Sequence, residues 1–236
     1  GVSIDITLHF WRLDAPQPVV DHLSRVLDAG EVARADRFVH LRDRTAYRIG
    51  RGRLRELLGE WRGQDPASLR FDIGPQGKPS LSGGPHFNLS HSGGLACLAI
   101  TQDVEIGADI EAYREVEDAV AERFFAPKEY AQLSVLPSVE WLAGFFRIWT
   151  RKEAVVKAIG EGLSIPLDAF DVTVDPKAPP LMTRLDPTRG RVEDWSLVHL
   201  AMGEAMVGAL AVRAAGQAIR VQVRECPPDL NCHWSV

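Results

Sequence analysis

At 236 residues, with 45% apolar and 25% charged residues, the chain has the composition of an ordinary soluble globular protein with room for one large domain or two small ones. No apolar run approaches the roughly 20 residues that span a bilayer, and no basic-then-apolar leader pattern opens the chain, so we expect a cytoplasmic protein without a membrane partner. The net charge of −5 argues against non-specific nucleic-acid binding, and the three widely spaced cysteines argue against a disulfide framework.

Arginine is concentrated in one part of the chain. Between Arg34 and Arg62 there are nine arginines and no lysine, against four acidic residues. Such a basic block within an acidic chain indicates a local anion site or a docking face for an acidic partner, and a solvated helix face is the alternative. A nucleic-acid partner is not favoured, because the chain has no series of aromatic residues on which bases could stack.

The first part of the chain predicts a strand followed by helices. Residues 6–13 (ITLHFWRL) alternate apolar and polar side chains as a strand does. Helices are predicted at residues 19–28 and, at greater length, from Arg42 to Trp61. Gly50 and Gly52 lie inside the longer helix, where each costs about 1 kcal/mol relative to alanine. They therefore indicate close approach of another backbone or of a ligand.

The middle of the chain predicts a loop, a hairpin and a further strand. The loop is GPQGKP, residues 74–79. HFNLSHS and LACLAIT follow it, separated by Gly93 and Gly94, and predict a β-hairpin. The next strand ends in IGADIE, residues 106–111.

Two later segments are similar to earlier ones, which indicates an internal duplication. ADRFVHLRD, residues 35–43, aligns without gaps with AERFFAPKE, residues 121–129. A second predicted hairpin repeats the first at an offset of 108, pairing Phe87 with Trp195, Leu89 with Leu197 and His91 with His199. We therefore predict two related α+β halves, residues 1–112 and 113–236. The alternative is that the two hairpins are similar by chance.

The second long helix is predicted from Ser138 to Ile159, with Ser138 as its N-cap and Gly160 at its end. Glu153 and Lys157 lie beside its apolar stripe and so are positioned rather than free. The residues predicted for the buried stripe recur at helical spacing: Trp141, Leu142, Phe145, Ile148, Trp149, Val156 and Ile159.

Three carboxylates and one ammonium group are the candidates for chemistry. Glu153 and Lys157 are four residues apart and share a helix face, whereas Asp109 and Glu111 are two apart and share one side of a strand. That set suits a hard cation that grips a phosphate, with a base and a phosphate-neutralising charge beside it. The alternative for the helix is a solvated Glu–Lys pair. Apolar neighbours disfavour such exposure for Asp109, since a buried carboxylate needs a partner or a metal.

Four motifs occur in an order known from one enzyme family. They are GKP at residues 77–79, FNLSHS at 87–92, IGADIE at 106–111 and WTRKEAVVKAIGEGL at 149–163. With these motifs the chain resembles the 4′-phosphopantetheinyl transferases of the surfactin-synthetase-activating type, although Ala108 stands where that family usually has a larger apolar residue. The resemblance implies an α+β fold of two pseudo-symmetric α/β halves in one monomeric chain, with the active site in the cleft between them.

The resemblance also implies a reaction. Coenzyme A would donate its 4′-phosphopantetheine group to a serine of an apo acyl or peptidyl carrier protein, in secondary metabolism, with release of adenosine 3′,5′-bisphosphate. Asp109, Glu111 and Glu153 would hold Mg²⁺, with Mn²⁺ as the alternative ion, because they offer only oxygen ligands. Glu153 resembles the family's base toward the serine, and Lys157 resembles the lysine that stabilises and protonates the departing phosphate.

Further residues match the family's coenzyme A contacts. Arg34 stands where the family places a basic residue on the 3′-phosphate, and Asn88 is expected to shape its strand more than to touch the ligand. The rival function is a non-catalytic coenzyme A or nucleotide-binding module, which would have no need of a base. Taken singly, His91 would be a structural histidine and Lys78 an exposed turn lysine. In the resemblance, the first half carries the 3′-phosphate and adenine contacts and the second half carries the catalytic helix. The residues implied to contact coenzyme A are Arg34, Gln76, Gly77, Lys78, Pro79, Asn88, Ser90, His91, Asp109, Glu153 and Lys157.

Overall fold

Two four-stranded sheets and two long helices dominate the fold. The structure, a computed structural model, describes residues 3–160 and 165–236. In that part of the chain the helices are α1 (Gln17–Ser24), α2 (Ala29–Asp36), α3 (Leu41–Arg62), α4 (Asp118–Phe124), α5 (Pro127–Ser134) and α6 (Trp141–Ile159). The strands are β1 (Ile4–Arg12), β2 (Asp72–Ile73), β3 (Pro79–Ser80), β4 (His86–Ser92), β5 (Leu95–Thr101), β6 (Ile106–Ala112), β7 (Phe170–Val172), β8 (Met182–Leu185), β9 (Ser196–Met202), β10 (Met206–Val212), β11 (Ile219–Glu225) and β12 (Cys232–Ser235). The predicted α+β class is confirmed. No helix among these residues combines the length and the apolar character needed to cross a membrane.

The strands form two sheets of similar design. The first has the order β11-β1-β5-β4, and the second has the order β12-β9-β10-β6. Neighbouring strands are antiparallel except β1 and β11, which are parallel. The pairs β4–β5 and β9–β10 are the two hairpins that the sequence predicts, and Gly93 and Gly94 supply the positive φ angles of the first turn. Both hairpin predictions are confirmed.

The duplication is visible in the sheets, but the second repeat begins earlier than the sequence indicated. Strands β1, β5 and β4 have the same order and antiparallel directions as β6, β10 and β9. Strand β6 is thus the counterpart of β1, and it pairs with β10 along its whole length. The division into residues 1–112 and 113–236 does not match the sheets, because it leaves β6 in the first half. The polar residues after β6 have the composition of a linker, yet they form a loop within the second repeat.

Three apolar cores separate four layers. Helix α3 covers the outer face of the first sheet, where Leu54 and Leu58 share a core with Leu98 of β5. The inner faces of the two sheets share the second core, in which Leu8 of β1 lies with Leu210 of β10. Helix α6 covers the outer face of the second sheet and forms the third core with it. The long helices therefore lie on opposite outer faces.

Helix α3 confirms the predicted close approach at one of its two glycines, Gly52. It runs within one residue of the predicted bounds at each end. A Cβ atom at Gly52 would lie 2.5 Å from the carbonyl oxygen of Leu23 in α1, so the two helices touch backbone to backbone. Gly50 instead lines a cavity.

Helix α6 begins later than predicted. A 3₁₀ turn spans Ser138–Glu140, and α6 starts at Trp141 without a side-chain cap from Ser138. The N–H of Glu140 donates to the carbonyl oxygen of Pro137 at 2.8 Å, which is the tighter spacing of a 3₁₀ turn. Gly160, with a φ of +78°, ends the helix as predicted.

The buried surface of α6 is wider than the predicted stripe. The seven predicted residues all lie in or against the third core. Phe146, Ala154 and Val155 are also buried, as are the charged residues Arg151 and Lys152. Because α6 is covered over most of its circumference, Arg151 and Lys152 are held by fixed partners on neighbouring elements.

Candidate active site

Strand β6 presents two carboxylates to α6. Asp109 and Glu111 alternate along β6 with apolar residues that enter the core between the sheets. Gly107, one step earlier on the same face, is so close to α6 that a Cβ atom there would be 1.8 Å from the carbonyl oxygen of Ala154. This close contact lays the backbone of α6 on the strand. It brings the side of α6 that carries Glu153 to the two carboxylates, as the sequence predicts.

Asp109 and Lys157 form an ion pair at the centre of the site. Nζ of Lys157 lies 2.9 Å from Oδ1 of Asp109 and also donates to the carbonyl oxygen of Ala108 at 3.0 Å. Asp109 is 5% exposed, and its Oδ2 is buried without a hydrogen-bond partner among the described residues. Burial raises the pKa of Asp109 to about 7, a shift that Lys157 opposes and to which the carboxylates of Glu111 and Glu153 contribute. Lys157 therefore does not fully offset the burial of Asp109 and the charge of its two carboxylate neighbours.

The other two carboxylates flank this pair. Burial raises the pKa of Glu153, and the charge of Lys157 opposes that effect. Oε2 of Glu111 lies 3.1 Å from Nη1 of Arg114 and accepts from Oγ of Ser92 at 3.5 Å. Within residues 3–160 and 165–236, no three His, Cys, Asp or Glu side chains converge in the manner of a metal site. In this arrangement Arg114 and Lys157 contact oxygens that a bound cation would otherwise take.

Side chains of β4 bind the edge of β6 that faces away from β10. Asn88, Ser90 and Ser92 occupy every second position of β4, and each accepts a hydrogen bond from a backbone N–H of β6. The edges of the two sheets are thereby joined, and these N–H groups are satisfied without a backbone ladder. The hydroxyl of Ser90 keeps its own proton to donate. Asn88 makes a hydrogen bond of the strand-shaping kind predicted for it. The three bonds are Ala108 N to Asn88 Oδ1 at 2.8 Å, Ile110 N to Ser90 Oγ at 3.0 Å and Ala112 N to Ser92 Oγ at 2.9 Å.

The loop at residues 74–79 is fastened to the end of α6 by its lysine. Nζ of Lys78 donates to the carbonyl oxygens of Lys157 at 3.0 Å and Ile106 at 3.1 Å, and it lies 3.4 Å from Oε2 of Glu105. A cation near the last carbonyls of a helix is favourable. Burial lowers the pKa of Lys78, and Glu105 raises it. Its ammonium group therefore contacts the protein here, and its predicted contact with coenzyme A stays a prediction.

Two adjoining cavities lie beside these groups. The loop, β4 and α6 line the first, of about 340 Å³. The second, of about 490 Å³, lies between α3 and the β4–β5 hairpin and shares Pro79 and Leu89 with the first. His91 lines the second cavity, as do Arg42 and Tyr47 of α3. The predicted site residues that line the first cavity are Gln76, Gly77, Lys78, Pro79, Asn88, Glu153 and Lys157.

A buried ion pair fixes α6 next to Glu153. Nζ of Lys152 lies 2.9 Å from Oε1 of Glu129 in α5, and both side chains are fully enclosed. Lys152 also donates to the carbonyl oxygens of Leu167 and Phe170. Because a buried charge that loses its partner is strongly destabilising, this pair holds α6 in register against α5 and β7.

Comparisons with known proteins identify the family. Residues 105–210 match the model described as the 4′-phosphopantetheinyl transferase superfamily. The 4′-phosphopantetheinyl transferase HetI of Nostoc sp. is 37% identical over 218 residues, which are 89% of this chain and 89% of HetI. The chain belongs to the 4′-phosphopantetheinyl transferase superfamily. The transferase Sfp of Bacillus subtilis is 35% identical over 138 residues (58% of this chain, 61% of Sfp), and AcpT of Salmonella typhimurium is 43% identical over 91 residues (37% of this chain, 47% of AcpT).

The predicted site residues of this transferase occupy one region, with one outlier. The first cavity and the adjoining carboxylates bring together Asp109, Glu111, Glu153 and Lys157, and the second cavity adds His91. Arg34 is exposed on α2 and lines neither cavity, although its Cζ lies 6.0 Å from the ring centre of Tyr47. The final residues of the WTRKEAVVKAIGEGL motif, 161–163, lie outside the described residues.

Several residues at the site of this transferase are not among those predicted from the sequence. Arg42, Tyr47 and Arg51 line the second cavity, and in the sequence the two arginines count only toward the basic block between Arg34 and Arg62. The signal was the four-residue spacing of Arg42, Ala46 and Gly50, which aligns them on one face of α3. Lys152 gave no such signal, because nothing in the sequence points to its ion pair with Glu129.

Proposed function

We propose that this chain transfers the 4′-phosphopantetheine group of coenzyme A to a serine hydroxyl of an apo acyl or peptidyl carrier protein. In this reaction the serine oxygen bonds to the phosphorus that carries pantetheine, the bond to the nucleotide phosphate breaks, and adenosine 3′,5′-bisphosphate leaves. The observation that carries the proposal is the convergence of Asp109, Glu153 and Lys157 beside the loop at residues 74–79. The relatives' names as 4′-phosphopantetheinyl transferases support it.

Mg²⁺ is the divalent cation that we propose for these carboxylates, with Mn²⁺ as the alternative, although the three do not converge as a formed metal site in the described residues. The buried Oδ2 of Asp109 has no partner among the described residues, and burial raises the pKa values of Asp109 and Glu153. Both features indicate missing positive charge. Asp109, Glu111 and Glu153 would hold the ion through oxygen ligands only, which suits a hard cation. When bound, such an ion neutralises the pyrophosphate charge as the leaving group departs.

Glu153 and Lys157 suit the proton transfers. A serine hydroxyl is a weak nucleophile and needs a base within hydrogen-bond reach. Glu153 lines the first cavity, and its raised pKa makes its carboxylate a stronger base than an exposed one. Lys157 lines the same cavity one turn further along α6, where its ammonium group can stabilise and protonate the departing phosphate.

The two adjoining cavities support a binding mode for coenzyme A. The first cavity would take the phosphates, and the second, which His91 lines, would extend the site along α3. Ser90 would add a hydroxyl donor from the same strand as His91. Backbone of the loop at Gln76, Gly77 and Pro79 would lie against adenine. Arg34 and Lys78 would contact the 3′-phosphate, which for Lys78 requires release from the end of α6. A cytoplasmic location, a monomeric state and a role in secondary metabolism remain predictions.

Arg34→Ala tests the 3′-phosphate contact. We expect KM for coenzyme A to rise roughly ten- to a hundred-fold, because a charge-assisted hydrogen bond is lost. The KM for 3′-dephospho-coenzyme A should change little. Arg37→Ala, which removes an equally exposed arginine next to α2, is the matched control and should leave both KM values unchanged. If KM rises equally for both substrates in Arg34→Ala, Arg34 does not contact the 3′-phosphate.

The proposed activity is tested by incubating the protein with coenzyme A, Mg²⁺ and a panel of apo carrier proteins. We expect at least one carrier to gain the mass of one phosphopantetheinyl group, and the gain to disappear when its acceptor serine is replaced by alanine. Chelation of the metal should stop the reaction. If the whole panel stays unmodified while calorimetry shows normal coenzyme A binding, the non-catalytic binding module becomes the better account.

A further inference from the structure

Two arginines on α6 lie on the side turned away from Glu153. Arg147 and Arg151 are four residues apart, so they project from the same face of the helix. Nη1 of Arg147 donates to the carbonyl oxygen of Val174 at 2.9 Å, and Nη1 of Arg151 donates to that of Thr173 at 2.7 Å. The two guanidinium groups therefore lie side by side against consecutive peptide carbonyls.

Neither guanidinium has a carboxylate within ion-pair distance in the described part of the chain. Arg151 is only 2% exposed, and its Nε is buried without a hydrogen-bond partner among those residues. Its Nη2 lies 3.2 Å from Nδ1 of His199 on β9, and because a guanidinium only donates, this ring nitrogen must be the acceptor. Burial of positive charge without a negative partner is unfavourable.

The electrostatics of this cluster agree with its geometry. Burial, together with the charge of Arg147, lowers the pKa of Arg151 to about 9. Burial and the two arginines lower the pKa of His199 to about 4, so its ring is neutral at pH 7. Burial also lowers the pKa of Arg147, whereas Tyr113, Asp175 and Glu140 raise it from beyond ion-pair distance.

The internal duplication supplies an independent observation. His199 on β9 is the counterpart of His91 on β4, and α6 covers the second sheet as α3 covers the first. In the first repeat, His91 lines a cavity together with Arg42 and Arg51 of α3. Each repeat thus combines a strand histidine with two arginines of the helix that covers its sheet.

We propose that Arg147, Arg151 and His199 form a second anion site, which takes a tetrahedral oxyanion such as inorganic phosphate. The paired guanidinium groups offer several N–H donors in the planar geometry that phosphate oxygens accept. An oxyanion there would neutralise the two adjacent charges and accept from Nε of Arg151. Arg147 and His199 are both partly exposed, so an anion can reach the site from solvent along them. This site is separate from the active site and does not depend on the proposed function.

The test follows the arginine Nε–H signals by NMR during a titration with inorganic phosphate at constant ionic strength. Arg147→Lys and Arg151→Lys identify the two signals by their loss. We expect both signals to shift and saturate in the wild-type protein, and sodium chloride of equal ionic strength to leave them in place. Arg147→Gln, at the more exposed position, should weaken phosphate binding about tenfold or more when read at Arg151, because a charge-assisted hydrogen bond is lost.

His91→Gln is the matched control, since it changes the counterpart histidine in the first repeat. The phosphate titration of Arg151 should be unchanged in this variant. The proposal is overturned if neither signal moves with phosphate, or if His91→Gln removes the shift and so traces it to the first repeat. A stronger response to acetate than to phosphate would also overturn it, because the site would then select a planar carboxylate.

Discussion

Glu153→Gln should lower the single-turnover rate of transfer about a hundred- to ten-thousand-fold, which is the usual effect of losing a general base. The amide keeps the shape of the side chain but cannot accept the serine proton at neutral pH. Coenzyme A should still bind, because the loop at residues 74–79 and His91 are unchanged. The measurement combines single-turnover rates at saturating coenzyme A with calorimetric binding of coenzyme A to the same variant.

The matched control for this variant is Glu140→Gln, which makes the same change at an exposed glutamate in the turn before α6. It should leave both the rate and the binding unchanged. Near-normal single-turnover chemistry in Glu153→Gln would show that another group, such as a metal-bound water, deprotonates the serine.

Asp109→Asn should lower turnover by about a hundredfold or more, in the range found when a preorganised electrostatic contact is removed from an active site. The neutral amide is a weaker ligand for a divalent cation, so the pyrophosphate charge stays less well neutralised. The fold should persist, because the amide oxygen can still accept from Nζ of Lys157 and the volume is kept. Turnover over a series of Mg²⁺ concentrations and the midpoint of thermal unfolding together check both expectations.

Asp103→Asn serves as the control for Asp109→Asn, since Asp103 is exposed in the turn that precedes β6. It should behave like the wild-type protein in both measurements. Wild-type turnover of Asp109→Asn at moderate Mg²⁺ would mean that the cation is held elsewhere.

Local periodicity in the sequence predicted much of what surrounds the site. The alternation of HFNLSHS and LACLAIT and the glycines between them are sufficient for the β4–β5 hairpin, because both strands and their turn are contiguous. Local spacing is likewise sufficient to predict that Glu153 and Lys157 lie on one face of a helix, because they are four residues apart. The approach of these two side chains to Asp109 is less local, and it depends on Gly107, where any Cβ atom would clash with α6.

Other features depend on contacts between distant segments, which no local pattern contains. The division after residue 112 missed β6 as the first strand of the second repeat, since its partner β10 begins almost a hundred residues later in the chain. Lys78 looks like a free turn lysine until the end of α6 is placed against it. The hydrogen bonds from β6 to the side chains of Asn88, Ser90 and Ser92 likewise appear only when the two sheet edges meet.

We propose that the groups around Asp109, Glu153 and Lys157 transfer phosphopantetheine rather than merely bind coenzyme A. The most direct test is a single-turnover reaction with an apo carrier, coenzyme A and Mg²⁺, in which modified carrier and adenosine 3′,5′-bisphosphate are quantified together. The account predicts one nucleotide released for each carrier modified, and none when the carrier lacks its serine. Release of the nucleotide without carrier modification, or no release at all while coenzyme A is bound, would contradict it.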